Sequence, residues 1–241
     1  MFPVHERDQL RRDLVNAAEI DPRVVGAALT GSAAVGGEDR WSDIDFALSV
    51  DRDMDAVVTD WTALLYVCDA VGHVDVRHGS VLFRVFLMRS TLQVDLAFWP
   101  SSEFGATGPT FRLLFGDANE LPQSPQPDRA ELIGLAWLHG LHVRSSIARG
   151  RVWQALHMLN GMRDHVMSLR CLAEGVNAVQ GRGLDDLRDA SAFTGTVALS
   201  THPDELSRAF HVLTGLLLCE ISDSGLAQAV RALSPGAATR R

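Results

Sequence analysis

Residues 31–49 read Gly31-Ser32-Ala33-Ala34-Val35-Gly36-Gly37-Glu38-Asp39-Arg40-Trp41-Ser42-Asp43-Ile44-Asp45-Phe46-Ala47-Leu48-Ser49. A Gly-Ser pair closes one apolar run, a turn of small residues follows, and Asp43-Ile44-Asp45 leads into a second apolar run. Side chains two apart on a strand point to the same face, so Asp43 and Asp45 aim two carboxylates at one spot while Ile44 packs behind them. Paired carboxylates repel, and a hard divalent cation relieves the repulsion. Mg²⁺ in particular prefers one or two carboxylates together with substrate phosphates. Gly31-Ser32 stands where a strand gives way to a helix, so backbone N–H groups and the Ser32 hydroxyl can receive phosphate oxygens. The stretch predicts a place where metal and phosphate meet.

Taken singly, these features have ordinary readings: Asp-x-Asp at a strand edge as a solvated turn, Gly-Ser as a turn dipeptide. Their combination, Gly31-Ser32 followed by a short spacer and Ser42-Asp43-Ile44-Asp45 before an apolar strand, resembles the signature of the nucleotidyltransferase superfamily. That superfamily includes DNA polymerase beta and the aminoglycoside and lincosamide nucleotidyltransferases, and the resemblance implies a third carboxylate on a later strand. Thr91 to Phe98 supplies one, because alternation puts Leu92, Val94, Leu96 and Phe98 on one face and Asp95 on the other. By this resemblance Asp43, Asp45 and Asp95 are the catalytic and metal-binding residues. Asp43 and Asp45 hold two Mg²⁺ ions on the triphosphate of an NTP, expected to be ATP. Asp95 contributes to the catalytic metal or takes the proton of the acceptor hydroxyl. Gly31, Ser32 and Ser42 contact the nucleotide. Many relatives carry a basic residue directly after Gly-Ser; Ala33 stands there in this chain, and Arg40 is the expected substitute. The implied reaction moves NMP to a hydroxyl of a small molecule, such as an aminoglycoside or lincosamide antibiotic, and releases pyrophosphate.

The 241 residues, 46% of them hydrophobic, suffice for one large or two modest domains with real cores. The N-terminal residues lack an apolar signal core, and no apolar run reaches the roughly 20 residues that span a bilayer, so a cytoplasmic protein without membrane contact is expected. A net charge of −8 disfavours non-specific nucleic-acid binding and suits a cationic small acceptor. No lysine occurs, which excludes a Walker-type phosphate lysine and Schiff-base chemistry and leaves Arg as the only fixed cation. Cys68, Cys171 and Cys219 lie in apolar surroundings without metal spacing and read as buried, reduced thiols.

Periodicity predicts helices over residues 5–20, 32–35 and 53–70, and strands over 24–29, 43–50, 74–77, 81–88 and around Asp95. The polar, Pro-rich stretch 117–128 reads as a linker. Beyond it helices are expected over 130–148, 152–173 and 203–222, with a loop at Gly181-Arg182-Gly183 and a frayed tail over 234–241. The fold class is therefore α+β: a mixed sheet with flanking helices over residues 1–120, the nucleotidyltransferase domain, then a helical bundle over 128–241 that binds substrate. On the helical half Glu131, Trp137, Trp153, Arg163 and Asp164 are acceptor-contact candidates, each with a competing structural reading as core or solvated pair. His139 and His142 share a helix face without the further ligands a zinc site needs. Arg151 and His157 have the spacing of a HEPN-type ribonuclease helix, which gives the alternative of a toxin–antitoxin component, but Val152 stands where that family has a polar residue.

Overall fold

The computed structural model describes residues 2–106, 108–122 and 126–234, so part of the expected linker and the tail from residue 235 lie outside the described residues. The chain divides into two compact units, Met1–Ser124 and Pro125–Arg241. The architecture is mixed α and β, and among the described residues every strand lies in the first unit.

The first unit runs α1 (Val4–Ile20), β1 (Val24–Thr30), α2 (Gly31–Ala34), β2 (Ile44–Val50), α3 (Met54–Val67), β3 (Ala70–His78), β4 (Val81–Met88), β5 (Gln93–Pro100), β6 (Gly105–Ala106), β7 (Phe111–Phe115) and β8 (Asn119–Glu120). Six strands form one sheet in the order β3-β4-β5-β2-β1-β7. Its one parallel pair is β2 with β5, because α3, β3 and β4 intervene between them; the other neighbours are antiparallel.

Period-two alternation sorts the two faces. Ile44, Phe46, Leu48 and Val50 join Val94, Leu96 and Phe98 in the main core, covered by Leu14 and Ala18 of α1 and by Val57, Trp61 and Leu65 of α3. The opposite face carries Ala28, Ala47 and Ala97 under Phe104. Asp45 and Asp95 have the parity of Ala47 and Ala97, so they stand on this second face, opposite the main core.

Two expectations need correction. The third helix stops at Val67 and β3 begins at Ala70, because Asp69 takes a left-handed conformation (φ 76°) that ends the helix and starts a longer strand than expected. The stretch read as a linker from residue 117 still contains structure: β8 pairs in parallel with β6, and Asn119 binds the carbonyl of Phe104 through both its backbone and its side-chain N–H. β7 was not expected either; it is a short apolar run that pairs with the edge of β1.

The second unit is helical: α4 (Arg129–Ala148), α5 (Val152–Glu174), 3₁₀ turns at Val179–Gly181, Leu184–Asp186 and Ala190–Thr196, α6 (Pro203–Leu218) and α7 (Ser224–Arg231). Asp128 caps α4 by accepting from the Ala130 N–H, and Asp223 caps α7 through the Leu226 N–H. Its core gathers Ala136, Val143, Leu159, Met162, Val166, Leu169, Leu213 and Leu217. Glu220, nearly buried, is neutralised by Arg129 at 2.7 Å and Arg170 at 2.9 Å. Cys171 is buried as expected and Cys68 partly so, but Cys219 is exposed, since it lies at the end of α6 where the apolar face runs out. No helix among the described residues is long and apolar enough to cross a membrane.

Candidate active site

The site is assembled at one end of β1, β2 and β5. β1 ends at Thr30 and the chain swings into α2 through Gly31, whose φ is +61°. A Cβ on Gly31 would stand 2.1 Å from a carboxylate oxygen of Asp45. Two constraints therefore select glycine: a left-handed backbone and direct contact with an acidic side chain. Next to Gly31, Ser32 offers its carbonyl to the amides of Val35 and Gly37, closing the turn that follows.

The loop that delivers Asp43 is fixed from within and from below. The Asp39 carboxylate accepts from the Trp41 backbone N–H (2.8 Å) and the Ser42 hydroxyl (3.1 Å), and the Asp39 N–H donates back to Ser42 Oγ (2.9 Å). These donors hold the Asp39 carboxyl below its ordinary range, the Trp41 amide contributing most. Beneath the loop Arg7 of α1, only 4% exposed, donates through Nη1 to the carbonyls of Asp39 (2.6 Å) and Ser42 (3.2 Å). Glu38 pairs with Arg7 at 3.6 Å and also with Arg11. Asp43 is the last residue before β2, so its position is set by this clamped loop as much as by the strand.

Across the parallel pair Asp45 lies directly opposite Asp95. Asp43, Asp45 and Asp95, all half-buried, each place a carboxylate oxygen within 4.8 Å of the others. Gln93, two residues before Asp95 on the same face, donates from Nε2 to both Asp95 oxygens at 3.0 and 3.2 Å. Burial, and after it the charge of Asp43, raises the Asp95 pKa, while the Gln93 bond opposes the rise. An all-oxygen, anionic donor set at this spacing fits a hard divalent cation, which would offset the repulsion the three groups impose on one another. Beside it opens a cleft of about 410 Å³ lined by Phe2, Trp41, Asp43, Thr91 and Gln93. The Arg40 guanidinium lies 4.6 Å from the centroid of the Trp41 ring.

The first unit thus brings together Gly31, Asp43, Asp45 and Asp95, with Ser32, Arg40 and Ser42 adjoining them in the chain. Glu131, Trp153, Arg163 and Asp164 belong to the second unit. There Glu131 and Asp164 are exposed, and Trp153 is 74% exposed in the first turn of α5. Arg163 donates to the Thr196 hydroxyl (2.8 Å), the Thr196 carbonyl (2.6 Å) and Asn160 (2.7 Å), tying α5 to the last 3₁₀ turn. Trp137 packs against the helical core. Arg151 precedes α5 with a non-helical backbone (φ −87°, ψ 70°), whereas His157 lies within the helix. The ring neighbour of His139 is His165, with centroids 5.0 Å apart and planes tilted by 59°. Sequence reasoning did not single out Gln93, Trp41 or Arg7. Gln93 was accessible from its parity with Asp95, and Trp41 from standing alone among polar turn residues; nothing local marks Arg7 as a clamp, since the loop carbonyls it holds are more than thirty residues away.

No family model matches the chain, and no curated protein matches it. Among solved structures it is similar to the crystal structure of an aminoglycoside 6-adenyltransferase from Bacillus subtilis, with 13% identity and a TM-score of 0.38 over 95% of this chain and 90% of that one.

Proposed function

We propose that this protein is a metal-dependent nucleotidyltransferase that moves a nucleoside monophosphate, AMP by preference, from an NTP to a hydroxyl group of a small molecule of the aminoglycoside or lincosamide kind. The observation that carries the reading is the convergence of Asp43, Asp45 and Asp95 within 4.8 Å beside a left-handed Gly31 that touches Asp45. An acidic cluster alone is common on protein surfaces. A half-buried one, built on two parallel neighbouring strands and flanked by a Gly-Ser turn, matches the needs of a triphosphate substrate.

In this reading Asp43 and Asp45 hold Mg²⁺ against the triphosphate, and Gly31, Ser32 and Arg40 receive its outer oxygens. The cation, when bound, neutralises charge on the attacking and leaving oxygens of an in-line displacement. Asp95 takes the proton of the acceptor hydroxyl as its oxygen bonds to the α-phosphorus and the bridging bond to the β-phosphate breaks. Gln93, which donates to both Asp95 oxygens, orients the carboxylate for that transfer. The products are a nucleoside monophosphate ester and pyrophosphate.

The test is incubation with α-labelled NTPs, Mg²⁺ and a panel of aminoglycosides and lincosamides, read by mass spectrometry of the acceptor. The expected result is an acceptor heavier by one nucleoside monophosphate, stoichiometric pyrophosphate, and loss of both on chelation. Release of inorganic phosphate instead of pyrophosphate would assign a different reaction.

A further inference from the structure

The six-stranded sheet ends in β7 on one side and β3 on the other. An edge strand carries a row of backbone N–H and C=O groups without a ladder partner, and folds protect such rows by keeping the strand short, covering it, or placing lysine, proline or a bulge along it. β7 is five residues long and joins β1 through a bulge. β3 runs nine residues, Ala70–His78, with neither proline nor lysine. A bulge between Ala70 and Gly72 leaves its ladder to β4 regular from Gly72 to His78. His73 to His78 are all exposed, and among the described residues no element besides β4 bonds to the backbone from Val71 to His78.

The two faces of this strand differ. Gly72, Val74 and Val76 lie opposite Leu87, Val85 and Phe83 of β4, and Val85 lies opposite Asp95 of β5. An apolar surface, with Val74 58% and Leu87 53% exposed, therefore continues the face that carries Asp95. His73, Asp75 and Arg77 alternate on the other face. Arg84 holds both Asp75 oxygens, at 2.6 and 2.7 Å, and the Tyr66 hydroxyl meets His73 Nδ1 at 3.0 Å, so both side chains are fixed in place.

A second copy of this strand, running antiparallel, complements the edge. Residues directly opposite in an antiparallel pair share a face, so pairing about Val74 sets Val74 against Val74, Gly72 against Val76 and His73 against Asp75, and engages the whole of β3. Apolar groups then meet on one face, and on the other an imidazole stands opposite a carboxylate twice over. Pairing about Asp75 would set Asp75 against Asp75 and His73 against Arg77, like charges directly opposed. Pairing about Val76 would engage only residues 74–78. We infer that the protein forms a two-fold dimer through β3 with the axis at Val74, joining two copies of the sheet into one. The axis stands perpendicular to the sheet, so both copies turn the face bearing Asp95 to the same side. The pairing needs neither nucleotide nor metal and is independent of the transferase reading. An interface built on one strand pair is smaller than those of obligate dimers, which makes the dimer concentration-dependent.

Sedimentation equilibrium from about 1 µM to 1 mM, a span that brackets modest affinities, tests this. Wild type is expected to pass from monomer to dimer. Val74→Lys sets two ammonium groups against each other and is expected to raise the dissociation constant by about tenfold or more. Its melt, taken where wild type is monomeric, should match wild type because Val74 is exposed. The register is read in a Cys219→Ser background, which removes the exposed thiol. On mild oxidation Val74→Cys is expected to give a disulfide-linked dimer, whereas Val76→Cys, whose partner in this register is Gly72, is not. If the lysine variant melts early, the cysteine pair decides. A wild type that stays monomeric throughout overturns the inference, as does a dimer whose dissociation constant a folded Val74→Lys leaves within about twofold. A Val74→Cys protein that crosslinks no more than Val76→Cys overturns it too.

Discussion

Gly31 and Asp45 are in contact through a backbone that tolerates no side chain: a Cβ on Gly31 would fall 2.1 Å from the Asp45 carboxylate oxygen. The turn after β1 and the middle carboxylate of β2 therefore form one unit. Disturbing the turn must displace the acid.

Gly31→Ala tests this against a matched control. Gly36 shares the left-handed conformation, φ +69°, but a Cβ there meets nothing within 4 Å. Gly36→Ala should cost only the backbone term, about 1–2 kcal/mol, and leave Mg²⁺·NTP affinity unchanged. Gly31→Ala carries the same backbone cost and also pushes Asp45 aside, so binding should weaken at least tenfold. Denaturant melts and calorimetry on the two variants check the contrast; equal effects on binding would uncouple Gly31 from the site.

Removing carboxylates should separate stability from function. Asp43→Asn and Asp45→Asn are each expected to abolish measurable transfer, while the metal-free melting temperature stays level or rises because three facing carboxylates repel. Asp95→Asn should retain Mg²⁺·NTP binding and slow the chemical step about 10²- to 10⁴-fold, the scale of general base catalysis. An Asp95→Asn enzyme that turns over at the wild-type rate would remove that residue from the reaction.

What the sequence disclosed and what it withheld divide along physical lines. Ser42-Asp43-Ile44-Asp45 and the alternation around Asp95 were legible because strand parity is local, and parity alone places both acids opposite the core face. The parallel pairing that sets Asp45 directly beside Asp95 was not legible, since it depends on how the chain through α3, β3 and β4 brings β5 back to β2. β7 and β8 were hidden for a related reason: short edge strands take their pairing from a partner already in place, β1 in one case and β6 in the other. Arg7 was invisible because an arginine on an amphipathic helix reads as solvent-facing until its loop partners are known.

Acid should weaken the helical unit through His165. Burial first, and then the neighbouring His139, lower its pKa below 6.5, with Asp164 opposing. A histidine whose folded-state pKa is depressed binds its proton more readily when unfolded. Its neutral form costs nothing above about pH 6.5, and stability declines as the pH falls below that value towards the folded-state pKa. His165→Gln should flatten this decline in melts followed between pH 7.5 and pH 5, a range chosen to bracket the ordinary histidine pKa. A slope identical to wild type would assign the acid sensitivity elsewhere.

Arg7 links the first helix to the first carboxylate, and its removal should act at both ends of that link. Its guanidinium is 4% exposed and donates to the carbonyls of Asp39 and Ser42 while pairing with Asp8 and Glu38. Arg7→Met leaves those groups without their donor. Because Asp8 and Glu38 keep partial solvent contact and Arg11, the expected loss is about 2 kcal/mol rather than the larger cost of a fully buried pair. Arg7→Lys keeps the charge, but an ammonium lacks the planar fork that serves two carbonyls and a carboxylate together, so it should recover stability better than loop order. Amide exchange over residues 38–43 then becomes the decisive reading. In Arg7→Lys it should accelerate about tenfold while β2 and β5 stay protected, and Mg²⁺·NTP affinity should fall in step as Asp43 loses its fixed position. If affinity per folded molecule is unchanged while the loop exchanges freely, the strand alone holds Asp43, and the clamp serves only the stability of the fold.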